Sequence, residues 1–156
     1  TLGLNYRMSE MQAALGRTQL RRLPLNLQMR EDNFRRLEGR LAGLPKTRVL
    51  DSTDRNSVNS HYCLSVVLDS SLAECRKRII GKLNLAGVGT SVYYPQPVPR
   101  MTYYRRKYGY DRQAYCSAEA VSDQSIALPV GPHLTAEDLD YIARTFITVV
   151  EEETNL

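Results

Sequence analysis

Phe34, Leu37, Leu41 and Leu44 recur at the three- and four-residue steps of one helical face, with Leu27 and Met29 ahead of them. This stripe predicts a helix that Gly43 and Pro45 close. An earlier helix is predicted from Ser9, which with Gln12 forms a capping box ahead of Met11, Ala14, Leu15 and Thr18 on one face. It should run to about Leu23, because Pro24 lacks the N–H that continues a helix. After a polar stretch over 51–60 the period changes from helical to alternating. Tyr62, Leu64, Val66 and Leu68 interleave with Cys63, Ser65 and Val67, the mark of a strand.

Ser71 and Glu74 offer a second capping box for a helix burying Leu72, Cys75, Ile79, Ile80 and Leu83 and ending at Gly87. Residues 89–94 read as a second strand. Pro95, Pro97 and Pro99 then enforce an extended segment. Short helices are predicted within 103–110 and 114–121, and 125–130 reads as a third strand ended by Gly131 and Pro132. Thr135 caps a last helix with the stripe Leu139, Ile142, Phe146 and Val149, and the acidic tail 151–156 should fray. The order implies one α/β (α+β) domain, a small sheet with helices on one face, preceded by a helical arm.

Composition narrows the function classes. With 156 residues, 42% hydrophobic and 24% charged, the chain is long enough for a real core and is not disordered. No apolar run approaches the ~20 residues of a membrane helix, and no signal-peptide layout opens the chain, so a cytoplasmic location is expected. Cys63, Cys75 and Cys116 lack disulfide or zinc spacing and should be reduced, mostly buried thiols; no metal site is expected. His61 and His133 have no partner pattern for metal or acid–base chemistry and read as structural. The net charge of +4 is spread over helices and interleaved with acids, which argues for solvated faces rather than a nucleic-acid surface. One stretch, Tyr103 to Arg112, places tyrosines among Arg105, Arg106 and Lys107 and could stack on bases, although a surface helix explains it more simply.

The opening segment Gly3-Leu4-Asn5-Tyr6-Arg7-Met8-Ser9-Glu10, followed by Gln12-Ala13-Ala14 and Gln19-Leu20-Arg21-Arg22-Leu23, resembles the DegT/DnrJ/StrS family of sugar aminotransferases. The likeness continues through Ser60-His61-Tyr62, Gly87-Val88-Gly89-Thr90, Tyr93-Tyr94-Pro95-Gln96-Pro97 and Leu128-Pro129-Val130. It implies the small C-terminal domain of a fold-type-I pyridoxal-phosphate (PLP) transferase with a three-stranded, mostly antiparallel sheet. Residues 1–25 would end the large PLP domain, truncated here, and 26–156 would form the connecting helix and small domain. The chain starts at Thr1 with a dense motif, so processing or truncation of a longer protein is expected.

The resemblance also implies chemistry. Members transfer an amino group through PLP to the ketone of a nucleotide sugar, in polysaccharide or antibiotic-sugar biosynthesis, as homodimers. The matching asparagine, Asn5, would hydrogen-bond the PLP phosphate of the neighbouring subunit; a carboxamide N–H suits an anionic oxygen. Arg7, Tyr93 and Tyr94 would contact substrate. Arginine presents a planar fork to phosphate or carboxylate, and Tyr93 stands where many members carry histidine.

PLP chemistry needs a lysine for the Schiff base and an acid at the pyridine nitrogen, which the family places before the Asn5 segment. Lys46, Lys77, Lys82 and Lys107 read as surface lysines. No catalytic residue is therefore assigned, PLP is expected in the full-length parent only, and this chain alone should bind it weakly. The competing reading is a non-catalytic dimerisation or interaction module derived from the family.

Overall fold

The computed structural model describes residues 7–50 and 56–155. Helix α1 runs unbroken over Glu10–Leu41, so Pro24 does not divide two helices as the sequence suggested. Residues 7–25 are almost all exposed, so water can satisfy the Leu20 carbonyl that loses its partner at Pro24. Ser9 caps the helix as expected, its hydroxyl accepting from the Gln12 N–H while the Gln12 side chain accepts from the Ser9 N–H. At the other end Gly43 takes φ 78°, the left-handed turn that a residue with a Cβ resists.

The sheet is three-stranded and antiparallel throughout, in the order β1 (Thr47–Leu50), β2 (Leu64–Leu68), β3 (Ser125–Leu128). Its membership differs from expectation. Strand β1 was not foreseen, since Thr-Arg-Val-Leu shows no alternation and is only half-buried. The segment 89–94 is not a strand; it contributes a single bridge, in which Ser91 and Ala127 exchange backbone hydrogen bonds of 2.8 and 3.1 Å. The prolines that follow cannot donate to a ladder, which restricts pairing to that one residue.

Pairing of Leu64 with Leu128 and Val66 with Ile126 gathers these side chains on one face of the sheet. There they join Phe34, Leu37 and Leu41 of α1 and Leu139, Ile142, Phe146, Val149 and Val150 of α5 (Ala136–Thr154) in one core. Helix α2 (Arg76–Leu85) adds Ile79 and Leu83 and packs on α5. Its approach is a 3-10 turn, Ser70–Cys75, capped by Asp69 and not by Ser71 with Glu74. The Asp69 carboxylate, two residues earlier in a favourable turn, accepts the Ser71 N–H at 2.9 Å.

Helices α3 (Thr102–Tyr108) and α4 (Cys116–Gln124) confirm two short helices, the second starting after a 3-10 turn at Gln113–Tyr115. Thr135 caps α5 with Asp138. The acidic tail does not fray as expected. Helix α5 continues to Thr154 because Glu153 is buried between Arg78 (2.7 Å) and Lys82 (3.0 Å) of α2. The cysteines also differ from expectation: Cys63 and Cys75 are half-buried and Cys116, the first residue of α4, is exposed.

Candidate functional site

A cleft of ≈ 660 Å³ opens where three irregular segments meet the end of the sheet. They are the Gly87–Ser91 turn, the Tyr93 segment, and the Pro129–Leu134 loop that leads into α5. Each is placed by a backbone anchor. Gly87 takes φ 78° at the end of α2, and Val88 N–H then bonds the Leu83 carbonyl at 2.9 Å. The Ser91 bridge to Ala127 fixes the second segment on the edge of β3. Asn33 of α1 donates to the Gly131 carbonyl at 2.9 Å and so ties the third to the first helix.

Aromatic rings and one guanidinium form the mouth. Arg30 lies 5.6 Å from the centre of the Tyr62 ring and donates to the Tyr62 carbonyl at 3.1 Å. Tyr62 meets Tyr93 edge-on at 5.9 Å between centroids, and Tyr93 meets Tyr94 in the same way at 5.9 Å. Hydrogen bonding from Ser91, and secondarily from Tyr62, holds the Tyr93 phenol below the ordinary tyrosine range. Tyr62, bonded to Tyr93, lies above it. The Tyr62 and Tyr93 rings and Ser91 thus sit beside a cation at the edge of a partly apolar cleft. Such an arrangement suits a polyhydroxylated or anionic ligand.

Of the residues singled out in the sequence, Tyr93 lines this cleft, whereas Tyr94 touches its mouth through the Tyr93 ring and is more exposed. Both lie too far out for the core-packing role that a strand would have given them. Arg7 is exposed ahead of α1, outside the cleft lining. Asn5 lies outside the described residues. His61 is buried against Phe34, with ring centres 4.7 Å apart, in keeping with a structural role. His133 lines the cleft. Sequence reasoning missed Tyr62, Arg30 and Ser91. Arg30 did leave a signal, since it heads the apolar stripe at 30, 34, 37 and 41 where another hydrophobe would be expected.

The residues present do not fit PLP as a covalently held group. Among the described residues no lysine lines the cleft. Lys82 is paired with Glu152 and Glu153, and Lys107 lies over the Tyr103 and Tyr108 rings. Asp138, the acid in the cleft lining, is committed to capping α5. Among the described residues no cluster of His, Cys, Asp or Glu could hold a metal ion, and no helix is long and apolar enough to cross a membrane.

Comparison with known proteins bears on this geometry. The sequence pattern of the DegT/DnrJ/EryC1/StrS aminotransferase family matches residues 1–147. A dTDP-4-dehydro-2,3,6-trideoxy-D-glucose 4-aminotransferase of Saccharopolyspora spinosa is 29% identical over 92% of this chain and 35% of its own length. A UDP-4-amino-4,6-dideoxy-N-acetyl-beta-L-altrosamine transaminase of Helicobacter pylori is 24% identical over 97% of this chain and 39% of its own. Among solved structures, the PMP-form of Spr1654 from Streptococcus pneumoniae, described as a sugar aminotransferase, superposes with a TM-score of 0.84. It is 33% identical, and the match covers 94% of this chain and 36% of that one. The chain thus spans less than two-fifths of the length of these proteins where it matches them. With the match running through the cleft and both flanking helices, the chain belongs to the DegT/DnrJ/EryC1/StrS aminotransferase family.

Proposed function

We propose that this chain is the C-terminal portion of a nucleotide-sugar aminotransferase, acting within a longer protein that supplies the PLP-bearing lysine. The observation that carries this reading is the family match over residues 1–147 combined with coverage of only 39% of a relative such as the Helicobacter pylori transaminase. In this reading residues 1–25 close the large domain and 26–156 form the connecting helix and small domain. The burial pattern supports that division: side chains before Asn26 are almost all exposed, and the core begins at Phe34.

Tyr93 and Tyr94 would receive the sugar at the cleft mouth, with Tyr62 and Arg30 behind them. Arg7 would meet the substrate from its place ahead of α1. Asn5 would reach the PLP phosphate of a neighbouring subunit in a homodimer. Tyr93 offers a hydrogen-bonding hydroxyl at the cleft mouth, in place of a ring that titrates near neutrality.

The test compares the 156-residue chain with the complete product of its reading frame. The complete product should show PLP absorbance and convert a nucleotide-linked ketosugar to the aminosugar with glutamate as donor. The isolated chain should do neither. Turnover by the isolated chain would overturn the reading, as would a complete product that neither binds PLP nor transaminates.

A second reading, a non-catalytic dimerisation module, is favoured by one observation. Met8, just ahead of α1, and Met11, Leu15 and Leu20 on its first turns are all more than 60% exposed. A complete product that dimerises through this helix but lacks PLP absorbance would select it.

A further inference from the structure

A second slot, of ≈ 460 Å³, shares no lining residue with the Tyr62–Tyr93 cleft. Small-ligand pockets commonly run from ~300 to 1,000 Å³, so its size is in range. Tyrosines from α3 and from the segment after it line the slot in two pairs. Tyr104 and Tyr108, one turn apart on α3, have planes 18° apart and centroids 6.4 Å apart. Tyr110 and Tyr115 are parallel within 7° at 6.1 Å. Gly109, at φ 75°, ends α3 and turns the chain so that both pairs border one opening. Among the described residues Asp111 is the one charged member of the lining.

These rings are not core. None belongs to the hydrophobic cluster, and Tyr104 and Tyr115 are each 40% exposed. Yet the walls are held in place. The Tyr110 hydroxyl donates to buried Glu119, whose other oxygen accepts from Arg112 at 3.0 Å. Arg100 donates to Asp123 at 2.8 Å and to the Pro95 carbonyl at 3.4 Å, fixing the wall that Val98 and Pro99 form. Walls fixed in advance spare a ligand the cost of ordering them.

The slot presents negative charge from every side. An aromatic face carries the negative part of the ring quadrupole. Asp111 adds a formal charge: it accepts the Gln113 N–H at 2.9 Å and forms no ion pair among the described residues. Its neighbour Arg112 is committed to Glu119. Arg105, Arg106 and Lys107 belong to the last turn of α3 but not to the lining. Lys107 shows what such rings attract, its ammonium lying 5.5 Å from the Tyr103 centroid and 5.2 Å from that of Tyr108. Among the described residues no cation lies over Tyr104, Tyr110 or Tyr115.

We propose that this slot is an aromatic cage for the quaternary ammonium group of a small organic cation, seated against Tyr104, Tyr110 and Tyr115 with Asp111 beside it. The chemistry favours an alkylated nitrogen over a primary amine. A primary ammonium is strongly hydrated and needs acceptors for its three N–H groups. Here the Tyr110 hydroxyl is already bonded to Glu119. A quaternary nitrogen has no N–H to satisfy, and ring faces with one carboxylate suffice for it. The assignment does not rest on the aminotransferase reading.

Titration of the full 156-residue chain with choline, followed by NMR at the Gly109 and Ala114 amides, tests this. Choline should shift both saturably. Its uncharged isostere, with a tert-butyl group in place of the trimethylammonium, should bind roughly 2- to 30-fold more weakly, the span of a cation–π contribution. Tyr115→Leu should weaken choline by a similar factor, whereas Tyr115→Phe keeps the ring face and should stay within about twofold. Tyr104→Leu repeats that comparison on the other pair should Tyr115→Leu fail to fold. Asp111→Asn retains an acceptor for the Gln113 N–H and should cost about two- to fivefold. Arg105→Gln with Arg106→Gln removes like charge and should leave choline binding equal or tighter. Equal affinity for choline and the isostere would overturn the cage, as would unchanged binding in the folded leucine variants. Weaker binding in the arginine pair would mark a surface that seeks anions and overturn it as well. Retention on phosphatidylcholine vesicles without a response to free choline would make this a membrane contact and not a small-ligand site. No shift at Gly109 and Ala114 ends the proposal and leaves the aminotransferase reading untouched.

Discussion

Two leucines on one helix make the sharpest test of where this fold begins. Leu37 of α1 is fully buried against the core that includes α5, whereas Leu15, six turns earlier on the same helix, is 63% exposed. Truncating each to alanine removes the same atoms and changes helix propensity little. Leu37→Ala leaves a void among Phe34, Leu41 and the α5 side chains, so the loss should be about 2–5 kcal/mol. Near the melting temperature each kcal/mol shifts Tm by roughly 2–4 °C in a domain of this size, giving a fall of about 4–20 °C. Leu15→Ala removes no buried surface within the chain and should stay within about 0.5 kcal/mol. The assay is thermal and urea unfolding followed by circular dichroism, at a concentration where sedimentation shows monomer. Comparable losses from the two substitutions would refute the claim that the core begins after Asn26.

Three other outcomes follow from particular contacts. Pro24→Ala restores the N–H that a continuous α1 lacks, so helicity and amide protection over residues 10–24 should rise, with a local gain of up to about 3 kcal/mol; no gain in amide exchange would mean that the helix breaks there. Asp140 beside Arg36 and Arg40, Asp123 beside Arg100, and Glu153 beside Arg78 and Lys82 all lie below the usual carboxylate range. Because these folded-state values are depressed, the unfolded chain binds more protons, so their stabilisation is present above about pH 4 and is lost as pH falls through the folded values. Asp140→Asn should therefore flatten the acid side of a Tm–pH profile, and an unchanged slope would count against the pairing. Finally, the exposed Met11, Leu15 and Leu20 should drive concentration-dependent self-association, each large side chain contributing about 1.5–3 kcal/mol when buried. Leu15→Ser with Leu20→Ser should shift sedimentation toward monomer; wild-type protein monomeric at every concentration would contradict this.

Periodicity alone determined most of the helices. The stripes at 34, 37, 41 and at 139, 142, 146, 149 name the side chains that bury, because a helix turns its faces by a fixed angle whatever surrounds it. Caps were equally legible: Ser9 with Gln12 and Thr135 with Asp138 satisfy N–H groups only three residues away. The sequence also carried the family, through motifs whose order survives from end to end.

Tertiary structure decided what local rules leave open. Whether Pro24 ends a helix depends on whether water can reach the freed carbonyl, and exposure is not written in the heptad around it. Whether residues 89–94 form a strand depends on finding a partner edge, and β3 accepted one residue of them while β2 took Thr47–Leu50 on its other side. Glu153 became buried only because α2 brings Arg78 and Lys82 to it from some seventy residues away. The cleft has the same origin. Arg30, Tyr62 and Tyr93 are far apart in the chain, and only packing of α1 against the sheet turns them into neighbours. Interactions within a helical turn can be read along the chain, whereas those that close long loops depend on which distant surfaces meet.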